Sequence, residues 1–175
     1  GLPYSPVDDA RLARVRAMKL AQDSAVARWD EADWERTYAL IAKTSPVTSP
    51  VGVWVIDSGA GRSLVKLSSI PEHLRKHIFE FQVPVWLATA NGPLCVKYAI
   101  SFNLHILNEK VECLVLDDTV NVLALGEDCI DRKRDFVWLG SKGLNPYFVV
   151  QGKRVWCKVD GRVPVLHDVE AIKLY

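Results

Sequence analysis

Val53-Trp54-Val55-Ile56-Asp57-Ser58-Gly59-Ala60-Gly61 is the stretch on which the reading of this chain turns. Its first four residues are apolar and β-favouring, and such side chains fit a pleated, buried surface better than a helix. Asp, Ser and Gly then punctuate a turn. The Asp57 carboxylate is therefore expected to emerge at a strand end, held by a tight glycine-containing bend. Alone, Asp57-Ser58-Gly59 is an ordinary turn, and its surroundings are what give it weight.

Downstream, the sequence stays β-like. Val96, Tyr98, Ile100, Phe102, Leu104 and Ile106 share one face of an alternation whose other face carries Lys97, Ser101, Asn103 and His105, the pattern of a half-buried strand. Asn108-Glu109-Lys110 reads as a hairpin loop, Val111 to Leu116 as the returning strand, and Val122-Leu123-Ala124-Leu125-Gly126 as an apolar strand closing on glycine. Pro71 can open a short helix over 71–80. From Phe136 onward, hairpin signals at Gln151-Gly152 and Asp160-Gly161 separate strands containing Phe148-Val149-Val150 and Val155-Trp156.

Upstream the period changes to three and four. Leu12, Val15, Met18, Val26, Trp29, Trp34, Tyr38 and Ile41 predict helix over residues 8–43, with a break near Asp23-Ser24 and Asp30 as a second N-cap. Thr44-Ser45-Pro46-Val47-Thr48-Ser49-Pro50 reads as a linker, because both prolines disfavour helix. The expected organisation is a helical arm and linker over 1–50, a β core over 51–135 and a β extension over 136–175.

Composition narrows the function. A chain of 175 residues, 49% hydrophobic and 25% charged, has globular composition and is long enough to bury a core without disulfides or metals. With 22 basic and 21 acidic side chains the net charge is +1, which gives no footprint for nucleic acid or an anionic membrane. No apolar run approaches the ~20 residues of a bilayer span. The opening residues do not read as a secretory leader, so a soluble, cytoplasmic chain is expected. Cys95, Cys113, Cys129 and Cys157 lie far apart and lack the paired spacing of a zinc site, so they read as reduced, mostly buried thiols.

Other candidate motifs read as structural. Asp30-Glu31-Ala32-Asp33 spells a helicase motif, yet no P-loop accompanies it, and acidic residues suit a helix N-terminus. His73 and His77 are four apart but lack the glutamate and third ligand of a metalloprotease helix. His105 with Cys95 or Cys113 has nothing in sequence to orient a thiol dyad. The six tryptophans, Trp29, Trp34, Trp54, Trp86, Trp138 and Trp156, fit core and interface packing better than base stacking. Arg132-Lys133-Arg134 is too short a basic run to imply nucleic acid. Neither a metal nor a cofactor is expected.

The order of elements around Asp57-Ser58-Gly59-Ala60 resembles the retropepsin-like aspartic proteases of retroviruses and retrotransposons, the copia-like ones most of all, for which Trp54 upstream is also suggestive. In that family an apolar strand leads into Asp-Thr/Ser-Gly-Ala. A hairpin flap follows, and a strand ending apolar-apolar-Gly crosses beneath the catalytic loop before a short helix. The matching segments here are Val53–Ala60, roughly Val85–Tyr98, Val122–Gly126 and about Glu127–Arg134. The resemblance covers residues 51–135 and leaves the arm and the tail unexplained. It implies a mostly-β fold with a closed, retropepsin-like barrel (one half of a pepsin-like fold), flanked by the N-terminal helical arm and a C-terminal β-hairpin extension.

The resemblance also implies roles. Water attack on a peptide needs one carboxylate as base and one carboxylic acid to protonate the carbonyl oxygen, and two adjacent carboxyls share a proton readily. The chain has a single Asp-Ser-Gly, so a working site needs a twofold homodimer with one Asp57 from each subunit. Ser58, Gly59 and Ala60 would support the paired loops, Gly59 by letting two backbones approach. Leu125 and Gly126 would buttress them from the second loop. Ala88, Thr89, Ala90, Asn91 and Gly92, within a flap running to Leu94, would close over an extended peptide and exclude water. The implied activity is hydrolysis of peptide bonds in the polyprotein that contains the chain, inside the cell or a virus-like particle. The implied partners are a second copy and an extended peptide or polyprotein, with no nucleic acid and no membrane.

Three features set this chain apart from the family pattern. Glu127 stands after the second-loop glycine, where retroviral enzymes commonly carry a basic residue that helps hold the dimer. Gly61-Arg62 follows Ala60, and Ser58 replaces the commoner threonine. These motivate a second reading, a retropepsin-fold dimerisation or peptide-binding module with little catalysis. A third reading is an unrelated β-barrel interaction domain in which Asp57-Ser58-Gly59 is only a turn. The arm over 1–43 is open to reading as a propeptide, a plug over the cleft or a dimer extension.

Overall fold

The computed structural model describes residues 46–89, 92–169 and 171. The expected helical arm, Trp29 and Trp34 included, lies outside the described residues. The hairpin Gln82–Val96 belongs to one compact unit, and Thr44–Phe81 together with Lys97–Tyr175 makes another.

The described chain is mostly β. Its strands are β1 (Val47–Thr48), β2 (Val53–Asp57), β3 (Ser63–Lys66), β4 (Phe79–Thr89), β5 (Gly92–Leu104), β6 (Glu109–Leu116), β7 (Val122–Ala124), β8 (Phe136–Val137), β9 (Tyr147–Val150), β10 (Lys153–Trp156), β11 (Lys158–Asp160) and β12 (Val163–His167). Nine of them form one sheet in the order β1-β5-β6-β3-β7-β2-β12-β11, with β4 paired to β5, and β10-β9-β8 form a second. The order of the large sheet is an open path with β1 and β11 at its ends. Among the described residues, therefore, no closed barrel forms.

Strand β2 is central, and its alternation explains why. Trp54 and Ile56 point into the core, and Trp54 meets Phe102 edge-on with ring centroids 6.4 Å apart. The same strand pairs in parallel with β7, Val55 opposite Val122 and Asp57 opposite Ala124, and antiparallel with β12, Val55 opposite Val165. A strand with neighbours on both edges has its backbone donors and acceptors satisfied, which fixes the direction in which Asp57 leaves the sheet. Phe148 of the smaller sheet and Leu166 of β12 belong to the same buried cluster as Trp54. The tail beyond residue 135 thus supplies both core side chains and a strand beside β2.

Several local expectations are corrected. Val47–Thr48, within the expected linker, pairs in parallel with Phe102 and Asn103 of β5, because Pro46 and Pro50 favour extended backbone and a sheet edge tolerates them. The short helix after Pro71 is a 3-10 turn, Glu72–His77. The helix after Gly126 is a π-helical turn, Glu127–Asp131. On β5, Ala99 and Ser101 are buried while Tyr98 is 47% exposed, so the two faces do not divide as the alternation predicts. The hairpin loop expected at Asn108-Glu109-Lys110 lies earlier: a 3-10 turn over His105–Leu107 ends at left-handed Asn108, and Glu109 already opens β6. The two C-terminal hairpins form as expected, with Gln151 and Gly152 at φ of 50° and 75° and Gly161 at 61°.

Candidate functional site

The Asp57 carboxylate sits at the exposed end of β2. The backbone N–H of Gly59 donates to Asp57 Oδ1 at 2.7 Å, closing a local turn that aims the carboxylate and leaves its other oxygen available. Gly59 has a steric reason to be glycine: a Cβ there would stand 3.3 Å from Asp57 Oδ1 and press on the group that the turn orients. Ser58 and Gly59 are exposed beside it, and Ala60 is half-buried.

Ala124, the residue in register with Asp57 on parallel β7, continues directly into Leu125 and Gly126. Both are half-buried, and Leu125 packs on the core. The structure therefore brings Asp57 and the second loop to the same end of two adjacent parallel strands. What locks them there is Ser63, which sequence reasoning missed. Its Oγ accepts from the Ala124 N–H at 3.0 Å and donates to Glu127 Oε2 at 3.2 Å, so one buried hydroxyl joins β3, β7 and the turn after Gly126. A small polar residue opening an apolar strand was the only local sign of it.

Beneath this loop pair lies a charge network. Arg62 pairs with Glu112 and, through Nε at 3.3 Å, with Glu127 Oε1. Arg132 reaches Glu109, Glu127 and Asp128 at 3.6–3.7 Å, and Arg134 Nη1 pairs with Glu109 and Asp128. Burial pushes the Glu127 carboxyl above its usual range, against the opposing pull of Arg62 and Arg132. Burial likewise raises Asp128 and takes Glu109 to about 8, the neighbouring Asp128 charge adding to the effect.

The flap positions lie on the other unit. Ala88 and Thr89 end β4, Gly92 opens β5 at φ 114°, and Thr89 Oγ1 donates to the Gly92 carbonyl at 2.7 Å. Ala90 and Asn91 lie outside the described residues. Strands β4 and β5 pair on either side of these two residues.

The remaining candidates are dispersed. His73 and His77 share a 3-10 turn, where residues four apart do not face the same way. His105 Nε2 lies 3.4 Å from Thr48 Oγ1. No cluster of three or more His, Cys, Asp or Glu suited to a metal occurs among the described residues. All four cysteines are free thiols, Cys113 and Cys157 buried. Trp54 is core, whereas Trp86, Trp138 and Trp156 are exposed, the last beside Tyr147 with Arg154 over the tyrosine ring. No helix among the described residues is long and apolar enough to cross a membrane.

Chemically, Asp57 is a single oriented, solvent-facing carboxylate that can act as a base toward water. It needs a second carboxyl to supply the acid half of peptide hydrolysis. The chain matches no protein-family model, no curated protein and no solved structure.

Proposed function

We propose that this chain is an aspartic endopeptidase of retropepsin type, a homodimer in which one Asp57 from each subunit activates water to cut peptide bonds in a polyprotein within the cell. One observation carries the reading. Asp57 stands exposed at the end of β2, turned outward by the Gly59 N–H, in register on a parallel neighbour with Ala124, which leads into Leu125-Gly126. A carboxylate on a rigid strand end, with a glycine beside it, is suited to meeting its twofold mate. Ser58 and Ala60 complete the loop that would face the partner copy.

A second reading, a dimerisation or peptide-binding module with little catalysis, is favoured by Glu127. This residue is engaged inside its own chain by Arg62 and Ser63 rather than presented to a partner.

The test is cleavage of an extended hydrophobic peptide library between pH 4 and 7, comparing wild type with Asp57→Asn, with sedimentation of both. Cleavage on the acid side of neutrality that disappears in the variant is the expected result. A dimer that cuts nothing selects the module, and a silent monomer overturns both readings.

A further inference from the structure

The charge network under the second loop does not balance. It holds three guanidinium groups (Arg62, Arg132, Arg134) against four carboxyls (Glu109, Glu112, Glu127, Asp128). Glu109 and Asp128 are its most buried members, their side chains 5% and 0% exposed. They converge on one nitrogen, Arg134 Nη1, through Glu109 Oε2 and Asp128 Oδ1. The other oxygen of each, Glu109 Oε1 and Asp128 Oδ2, is buried without a hydrogen-bond partner among the described residues, as are the donors Arg62 Nε and Arg132 Nη1, the latter 3.7 Å from Asp128 Oδ1. A bare buried carboxylate oxygen is expensive, and two at once more so. A single proton shared by the two carboxyls would give both oxygens a partner and bring the charge of these seven groups to zero.

We propose that Glu109 and Asp128 share one proton, forming a carboxyl–carboxylate clasp that fastens the turn Glu127–Asp131 to the start of β6 and is released as the solution becomes alkaline. Glu109 carries the proton on Oε1 and donates to Asp128 Oδ2, while Asp128 remains the anion that Arg132 and Arg134 hold. The clasp joins the segment following Leu125-Gly126 to the β5–β6 hairpin, so its loss loosens the second loop from below. Arg132 and Arg134 follow the turn, Glu127 lies within it, Lys110, Glu112 and the Cys113 thiol line β6, and Arg62 precedes β3. The arginines oppose protonation and the acids favour it. The clasp involves the charge network alone and is independent of peptide cleavage.

The sign follows from linkage. A group that holds its proton more tightly when folded stabilises the fold at low pH, and that contribution fades as pH rises through the folded value, here from about 4.5 toward about 8. The test is denaturant unfolding of the full chain from pH 5 to 9 for wild type and for Glu109→Gln, whose amide donates to Asp128 without titrating. The folded-to-unfolded ratio of wild type relative to the variant is expected to fall by up to about tenfold per pH unit across that window. Parallel curves for the two proteins overturn the proposal. Should the variant not fold, the infrared carbonyl stretch of a protonated carboxylic acid decides, recorded in Asp57→Asn/Glu127→Gln so that neither the Asp57 pair nor the raised Glu127 carboxyl contributes. It is expected near pH 6.5 and gone at pH 9, and its absence near pH 6.5 overturns the clasp.

Discussion

Arg62 and Glu127 are ion-paired within the chain, Nε to Oε1 at 3.3 Å. Both are among the residues that set the loops apart from the retropepsin pattern, and the structure joins them. The acidic side chain after the second-loop glycine meets a basic side chain just after the first loop, so each odd residue accounts for the other. Glu112 holds Arg62 from the opposite side, and Ser63 holds Glu127. The pair therefore ties the first loop to the second.

Breaking this tie is expected to cost stability. Glu127 is 13% exposed in its side chain, and removing Arg62, itself 36% exposed, leaves Glu127 with the Ser63 hydroxyl and, as its cation, Arg132. Arg62→Ala is expected to lower unfolding free energy by about 2 kcal/mol, below the range for a fully buried pair because of that exposure and the remaining arginine. Urea denaturation at neutral pH measures it. Glu127→Gln, which leaves no buried charge unpaired, is expected to cost less than Arg62→Ala, and the reverse order would contradict the pairing.

Ser63 makes a separate prediction. Ser63→Ala strips the acceptor from the buried Ala124 N–H and the donor from Glu127. A buried donor left without a partner costs about 1–3 kcal/mol. Amide hydrogen exchange at Ala124 is expected to accelerate more than at Val55, which keeps its bond to the Asn121 carbonyl. Equal acceleration at both would mean that the hydroxyl is not a local clip.

The glycines of the first loop separate shape from flexibility. A Cβ at Gly59 would come within 3.3 Å of Asp57 Oδ1, whereas one at Gly61 meets nothing within 4 Å. On the proposed function, Gly59→Ala is expected to push Asp57 Oδ1 by a few tenths of an ångström and to reduce peptide cleavage by up to about tenfold, since a displacement of about 1 Å costs about a hundredfold. Gly61→Ala is expected to leave cleavage within a factor of about three, because no contact opposes it. The fold is expected to survive both, as read by circular dichroism.

What the sequence made legible was local. The β2 strand, the Asp57 turn and both C-terminal hairpins follow from residues that are neighbours along the chain, where periodicity and turn chemistry act directly. The pairing of β2 with β12 was not legible, because β12 comes from a distant segment and strand pairing is decided by the whole packed sheet; only the resemblance implied that Val122–Gly126 lies by the Asp57 loop. The charge network escaped for the same reason: Arg62, Glu109 and Arg134 form no pattern until three segments fold together. Ser101 misled because burial on both faces of β5 erases the polar side of an alternation. In the candidate site, Asp57 was readable, and Ser63, its hidden support, was not.

The core itself offers the last prediction. Trp54 is fully buried and packs edge-on to Phe102, yet its indole Nε1 is buried without a partner among the described residues. Two opposing effects therefore govern substitution. Trp54→Ala removes the ring and leaves a cavity, and is expected to cost about 3–5 kcal/mol. Trp54→Phe keeps most of the apolar contact and relieves the orphaned N–H, whose burial is worth about 1–3 kcal/mol against the fold. The phenylalanine variant is therefore expected to lie close to wild type in urea denaturation, despite the smaller ring. A loss as large as that of the alanine variant would mean that the indole nitrogen has a partner in solution, and that β2 is held by a polar contact as well as by packing.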